Sequence, residues 1–181
     1  MQTRKRIAGL FAVGGAACLL TAGLAAPATA SQSFAGEWIV NANSSKCVAD
    51  PAASTTSGVQ AIQFDCEPDG PSRRWAVTVY PKDHGRVVYS FRSTAAPDLC
   101  LTGTGASGGA VKLLPCVSGA AGANQRWAYD SYHRLINTAS WKCLAVPAAQ
   151  LGNGVKLIQF DCREPNSETG LGFEQVWTGW I

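Results

Sequence analysis

Seven cysteines, two histidines and six tryptophans give this 181-residue chain most of its chemical scope. Six of the cysteines form three similarly spaced pairs: Cys47 with Cys66, Cys100 with Cys116, and Cys143 with Cys162; Cys18 stands apart in an apolar run. No two cysteines are separated by just two residues, and only His84 and His133 could join them, so the spacings of a structural zinc site are missing. No metal and no other cofactor is expected. Catalysis needs a nucleophile with its base, or paired carboxylates, gathered in one pocket. His84 and His133 stand in turn segments, and no motif links either to a Ser or Cys nucleophile, so no enzyme is expected.

The first residues explain the company the cysteines keep. Arg4, Lys5 and Arg6 precede an uncharged apolar run from Ile7 to Ala26, and Ala28-Thr29-Ala30 offers the small residues a signal peptidase reads. A secretory signal peptide over 1–30, cleaved after Ala30, is expected, followed by a short segment over 31–35. An uncleaved anchor is the alternative, since the run is long enough to span a bilayer. Gly9, Gly14, Gly15 and Gly23 interrupt it, and the cleavage site lies directly behind it, which favours removal. Gly15 stands where a lipid-modified Cys18 usually wants a large aliphatic residue, and the apolar run continues past it. The expected product is secreted and extracellular, with no membrane association after signal removal.

Charge points the same way. The formal net charge of +3 equals the contribution of Arg4, Lys5 and Arg6, so the chain beyond the leader is balanced. Nucleic-acid binding draws on clustered cations that displace counterions from phosphates, and beyond the leader only Arg73-Arg74 lie together. A nucleic-acid partner is not expected.

Behind the cysteine pairs lies a repeat. Cys47-Val48-Ala49, Ile62-Gln63-Phe64-Asp65-Cys66 and Arg73-Arg74-Trp75 recur as Cys143-Leu144-Ala145, Ile158-Gln159-Phe160-Asp161-Cys162 and Gln175-Val176-Trp177. A more divergent copy lies between them: Cys100-Leu101-Thr102, Leu113-Leu114-Pro115-Cys116 and Gln125-Arg126-Trp127. The copies occupy about 36–80, 81–130 and 131–181. Each reads as four short strands divided by Gly, Pro, Asn, Asp and Ser clusters. The expected strands are 37–40, 46–49, 59–64 and 74–80; then 86–92, 99–102, 111–114 and 126–129; then 134–137, 142–146, 155–160 and 175–178. No helical periodicity appears beyond the leader.

Twelve such strands suit a pseudo-threefold barrel with hairpin caps, a closed form without exposed sheet edges. Six cysteines allow fifteen pairings, and only local pairing treats the copies alike. Disulfides Cys47–Cys66, Cys100–Cys116 and Cys143–Cys162 are expected in an oxidising compartment. Trp75, Trp127 and Trp177 are expected to fill the core. Gln125 and Gln175, two residues earlier, are expected to bond turn backbone.

Threefold repetition, one cysteine pair per repeat and a closing Gln-x-Trp resemble the ricin B-chain-like lectins over residues 34–181. The resemblance implies an all-β β-trefoil of three four-stranded repeats, and carbohydrate binding in shallow pockets. It implies an aromatic ring two residues before the second cysteine, stacked on a sugar's C–H face. It also implies an Asp two residues after the first cysteine and an Asn just before the Gln-x-Trp, both hydrogen-bonding sugar hydroxyls.

The chain keeps these parts unevenly. Phe64 and Phe160 hold the aromatic position, with Leu114 in the middle copy. Ala49, Thr102 and Ala145 hold the Asp position; Asp50 follows one residue later, where strand alternation turns it away unless a bulge intervenes, and where it could instead start a turn with Pro51. Asn124 keeps the Asn position, against Ser72 and Glu174. Phe64 and Phe160 could stack on ligand or be packed rings, and Gln63 and Gln159 could supply polar contacts beside them. The expected function is a non-catalytic module binding glycan or polysaccharide through its first and third repeats. The alternative is a trefoil with degenerate sugar sites that binds a protein partner or acts as an inhibitor; the absent Asp favours it, and the retained phenyl rings favour sugar.

Overall fold

The computed structural model describes residues 36–166, 168–169 and 172–179. The expected leader and the segment 31–35 lie outside the described residues. Within them the turn clusters divide the chain into thirteen strands: β1 (Val40–Asn41), β2 (Cys47–Ala49), β3 (Ile62–Phe64), β4 (Trp75–Asp83), β5 (Arg86–Ser93), β6 (Leu99–Gly103), β7 (Val111–Pro115), β8 (Trp127–Tyr129), β9 (Leu135–Asn137), β10 (Cys143–Ala145), β11 (Val155–Lys156), β12 (Ile158–Phe160) and β13 (Trp177–Thr178). The helical elements among them are short 3-10 turns, such as Pro51–Ala53, Pro147–Ala149 and Phe173–Gln175.

The strands pair antiparallel. One sheet runs β11-β3-β2-β1-β13; the other runs β12-β10-β9-β8-β5-β6-β7, with β4 on β5. Isolated bridges such as Gln60–Lys112 and Ala110–Ile158 join the repeats. The threefold relation closes at three backbone bonds. Ala61 N donates to Val111 O (2.9 Å), Val111 N to Leu157 O (3.1 Å), and Leu157 N to Ala61 O (2.8 Å). All three residues are fully buried.

This ring splits the expected strand 155–160. β11 pairs with β3 of the first repeat and β12 with β10 of its own, so the chain changes partner at Leu157. The expected strand 74–80 instead runs on to Asp83, through a register shift between Tyr80 and Asp83 that fits Pro81, which has no N–H for a ladder.

The three tryptophans occupy equivalent places. Trp75, Trp127 and Trp177 have no exposed surface, and their Nε1 groups donate to Val48 O (2.9 Å), Leu101 O (3.0 Å) and Leu144 O (2.9 Å). Each indole thus fills the core and satisfies its one polar group. Phe91, Leu101, Leu113, Leu135 and Leu144 complete the same buried cluster. The disulfides are Cys47–Cys66, Cys100–Cys116 and Cys143–Cys162, one per repeat.

Candidate functional site

In the third repeat, the turn after β10 and the turn before β13 enclose a cavity of about 470 Å³. Ala145, Val146, Pro147, Ala148, Ala149 and Ile158 give it apolar walls, and Phe160, Arg163, Glu174 and Gln175 complete the lining. Local sequence builds this shape. Pro147 starts a tight turn, and Ala148 and Ala149 both follow with φ of 51°, a left-handed conformation that costs an alanine about 1–2 kcal/mol. The turn's small side chains leave the space open. Phe160 lies on the edge of β12, half-buried.

Glu174 sits in the 3-10 turn Phe173–Gln175 and is 8% exposed. Its backbone carbonyl accepts from Val146 N (3.0 Å) and from Asn41 Nδ2 (3.1 Å). Its side chain has no such partners among the described residues. Oε2 is shielded from solvent, and no described residue donates to either carboxylate oxygen. Gln175 turns the other way: its Nε2 donates to Asp161 O (3.0 Å) and its Oε1 accepts from Arg163 N (2.8 Å). Gln125 does the same in the middle repeat, with Pro115 O and Val117 N.

Two arginines reach the phenyl rings from unrelated sequence positions. The Arg163 guanidinium lies 5.3 Å from the Phe160 centroid, and that of Arg73 lies 5.0 Å from Phe64. Arg73 stands where the Gln-x-Trp places Gln, whereas Arg163 follows the second cysteine. Sequence reasoning noted the first as a departure and missed the second, because no repeat position announces it.

The other expected contacts fall differently. Gln63 and Gln159 are fully buried, a correction to their reading as ligand contacts. Strand alternation puts each on the opposite face from its neighbouring Phe. There Gln63 Nε2 donates to Gln150 O and Gly152 O, and its Oε1 accepts from Ser44 Oγ. Gln159 Oε1 accepts from Gly105 N, and its Nε2 donates to Ser140 Oγ. Each amide pins a loop of the neighbouring repeat. Gly103 leaves room for this: a Cβ there would stand 2.5 Å from Gln159 Oε1.

Asp50 opens the turn Pro51–Ala53, as one of its two readings had it, but it is 1% exposed. Its N donates to Ser72 O (2.7 Å), the counterpart of the Val146–Glu174 bond. Its Oδ2 accepts from Ser93 Oγ (3.2 Å), while Oδ1 is buried without a partner. Burial pushes the carboxyl up to about 6, and the Ser93 bond only partly opposes this. The first and third repeats therefore each carry one buried carboxyl on this pair of turns, Asp50 on the first turn and Glu174 on the second.

Asn124 lines a separate recess of about 430 Å³ in the middle repeat with Gly103, Thr104, Leu114 and Asn137. Its Oδ1 is shielded and unpartnered, and its backbone O accepts from Asn137 Nδ2 (2.8 Å). The structure thus brings Phe160 and Glu174 into one cavity and leaves Asn124 in another, beside a leucine.

Three interlocked repeats around a threefold axis, each closed by its core tryptophan, define a β-trefoil, here with a turn-lined cavity beside the closing Gln-x-Trp. The ricin-type beta-trefoil lectin domain model matches residues 35–169, and the chain belongs to that family. Solved structures agree on the fold. The designed 3-fold symmetric protein ThreeFoil superposes with a TM-score of 0.65 at 22% identity, covering 80% of this chain and 97% of its own. An exo-beta-1,3-galactanase from Clostridium thermocellum gives 0.63 at 16% identity, with 80% of this chain on 30% of the enzyme. The earthworm R-type lectin C-half, solved with GalNAc, gives 0.56 at 12% identity, with 79% of this chain on 95% of that one. At these identities the likeness shows the fold alone. Comparison with curated protein sequences returned no match.

Proposed function

We propose that this chain is a secreted, non-catalytic carbohydrate-binding module whose main contact is the third-repeat cavity. The observation that carries the reading is that one apolar-walled cavity gathers the Phe160 ring and Glu174, whose carboxylate Oε2 has no partner among the described residues. Sugars present a weakly apolar C–H face and a rim of hydroxyl donors, and ring plus carboxylate answers both. Glu174 here supplies the acceptor that Ala145 does not.

The guanidinium over Phe160 does not bar a ligand. A cation–π contact at an exposed site is worth about 0.5–1 kcal/mol, less than a stacked ligand can return. Phe64 with Arg73 offers a second, weaker contact, and the middle repeat, with Leu114, is silent. Each site alone binds on the order of millimolar, and two sites on one rigid body gain through the polymer. The GalNAc seen on the earthworm lectin and the 6'-sialyllactose seen on its C-terminal domain mutant support a sugar as ligand class.

The test is polysaccharide affinity electrophoresis with a glycan panel. F64A and F160A should each weaken retardation, F160A more, and the double variant should abolish it. Unchanged retardation in a folded double variant would move the assignment to protein binding, the reading that the two covered phenyl faces favour. Export is tested by the mass of the secreted chain, which should begin at Ser31 and carry no alkylatable thiol.

A further inference from the structure

We propose that the third-repeat cavity selects sugars carrying a free amine, with Glu174 as the group that receives the ammonium. This rests on the sugar-binding reading above and names the ligand class of the same site. Glu174 is more than nine-tenths buried, lines the cavity, and has no described donor at either carboxylate oxygen. No Lys, Arg or His nitrogen among the described residues lies within salt-bridge reach of it. A carboxylate without a protein cation beside it gains more from a ligand that brings a positive charge than from one that brings a neutral donor.

The candidate donors differ in what they bring. A hydroxyl offers one hydrogen and no charge. An ammonium offers three hydrogens and a full positive charge, and charge-assisted hydrogen bonds are roughly twice as strong as neutral ones. An N-acetylated amine offers one N–H and adds an acyl group. The remaining lining is apolar apart from Gln175, whose amide is already engaged, and Arg163, whose exposed guanidinium is held over Phe160. In the middle repeat the same position carries Asn124, a neutral amide, so that recess has no such preference.

The experiment is isothermal titration of the full secreted chain with glucosamine oligomers and with N-acetylglucosamine oligomers of equal length, at fixed ionic strength. The pH is set where the amine is protonated. Wild type should bind the amine form at least about tenfold more tightly. E174Q keeps the shape and should reduce that ratio to about twofold or less, while R163A, which removes a like charge that lines the same cavity and repels an ammonium, should increase it. D98N, at an exposed aspartate, should leave the ratio unchanged and so exclude a general surface-charge effect.

Equal affinities in wild type, or a ratio that survives E174Q in a folded protein, would overturn the inference. If neutral sugars bind in a Phe160-dependent way without amine preference, the inference fails and the sugar-binding reading stands. If no sugar of either kind binds in a Phe160-dependent way, the reading itself fails.

Discussion

The side-chain amide of Asn41 donates to the backbone carbonyl of Glu174 across 3.1 Å, so the first repeat clamps one wall of the third-repeat cavity. Asn41 is fully buried and also accepts from Asn43 N and Ser44 N, which shapes its own turn. Asn137 holds the Asn124 carbonyl in the same way. At the third equivalent place Ser93 bonds the Asp50 carboxyl instead. N41A should cost roughly 2–3 kcal/mol in urea unfolding, because it breaks several buried bonds at once. It should also weaken sugar binding although Asn41 is not among the residues lining the cavity. Full affinity in N41A would show that the Glu174 backbone needs no such clamp.

Asp50 makes stability depend on pH in an unusual direction for a carboxylate. Its folded value of about 6 lies above its ordinary 3.8, so the native state holds the proton more tightly than the unfolded chain does. The penalty is absent below about pH 4, grows as pH rises through about 6, and reaches about 3 kcal/mol above that. D50N should therefore be more stable than wild type at pH 7.5, by up to that amount, and the gain should vanish near pH 4. Asp65 and Asp161, held low by Lys46 and Lys142, tilt the curve the other way in both proteins and cancel in the comparison. A gain that does not change between pH 4 and 7.5 in paired denaturant titrations would contradict this account.

The equivalent indole bonds predict equivalent losses. W75F, W127F and W177F each remove the Nε1 donor and leave a buried carbonyl of Val48, Leu101 or Leu144 without it. Each should cost roughly 2–4 kcal/mol, the bond and a small void together, and the three values should agree within about 1 kcal/mol. A loss confined to one repeat would show that the threefold packing is unequal.

The disulfides separate stability from binding. Replacing Cys100 and Cys116 by Ala opens a loop with a sequence separation of 16, and replacing Cys143 and Cys162 opens one of 19. Each should cost about 3 kcal/mol, seen as a fall in Tm of roughly 10 °C. Sugar binding should survive the first change, in the middle repeat. It should weaken in the second, because Cys162 lies two residues after Phe160 and immediately before Arg163.

Much of this architecture was legible in one dimension. The repeat names the disulfide partners, the three core tryptophans and the rough placing of the strands, because a short-range pattern copied three times leaves few consistent ways to close a barrel. The roles of Gln125 and Gln175 followed from their place before the tryptophans. What the residue order could not supply was contact between repeats. Gln63 and Gln159 stand beside the phenyl rings in sequence, yet the pleat turns them inward to loops 87 and 54 residues away. Asn41 reaches Glu174 across 133 residues, a separation that no motif encodes. The splitting of the strand at Leu157 likewise depends on a three-repeat ring of backbone bonds. Local periodicity determined the fold, since each repeat fits itself. The cavity was decided in three dimensions, because its walls are turns whose positions exist only once all three repeats have closed.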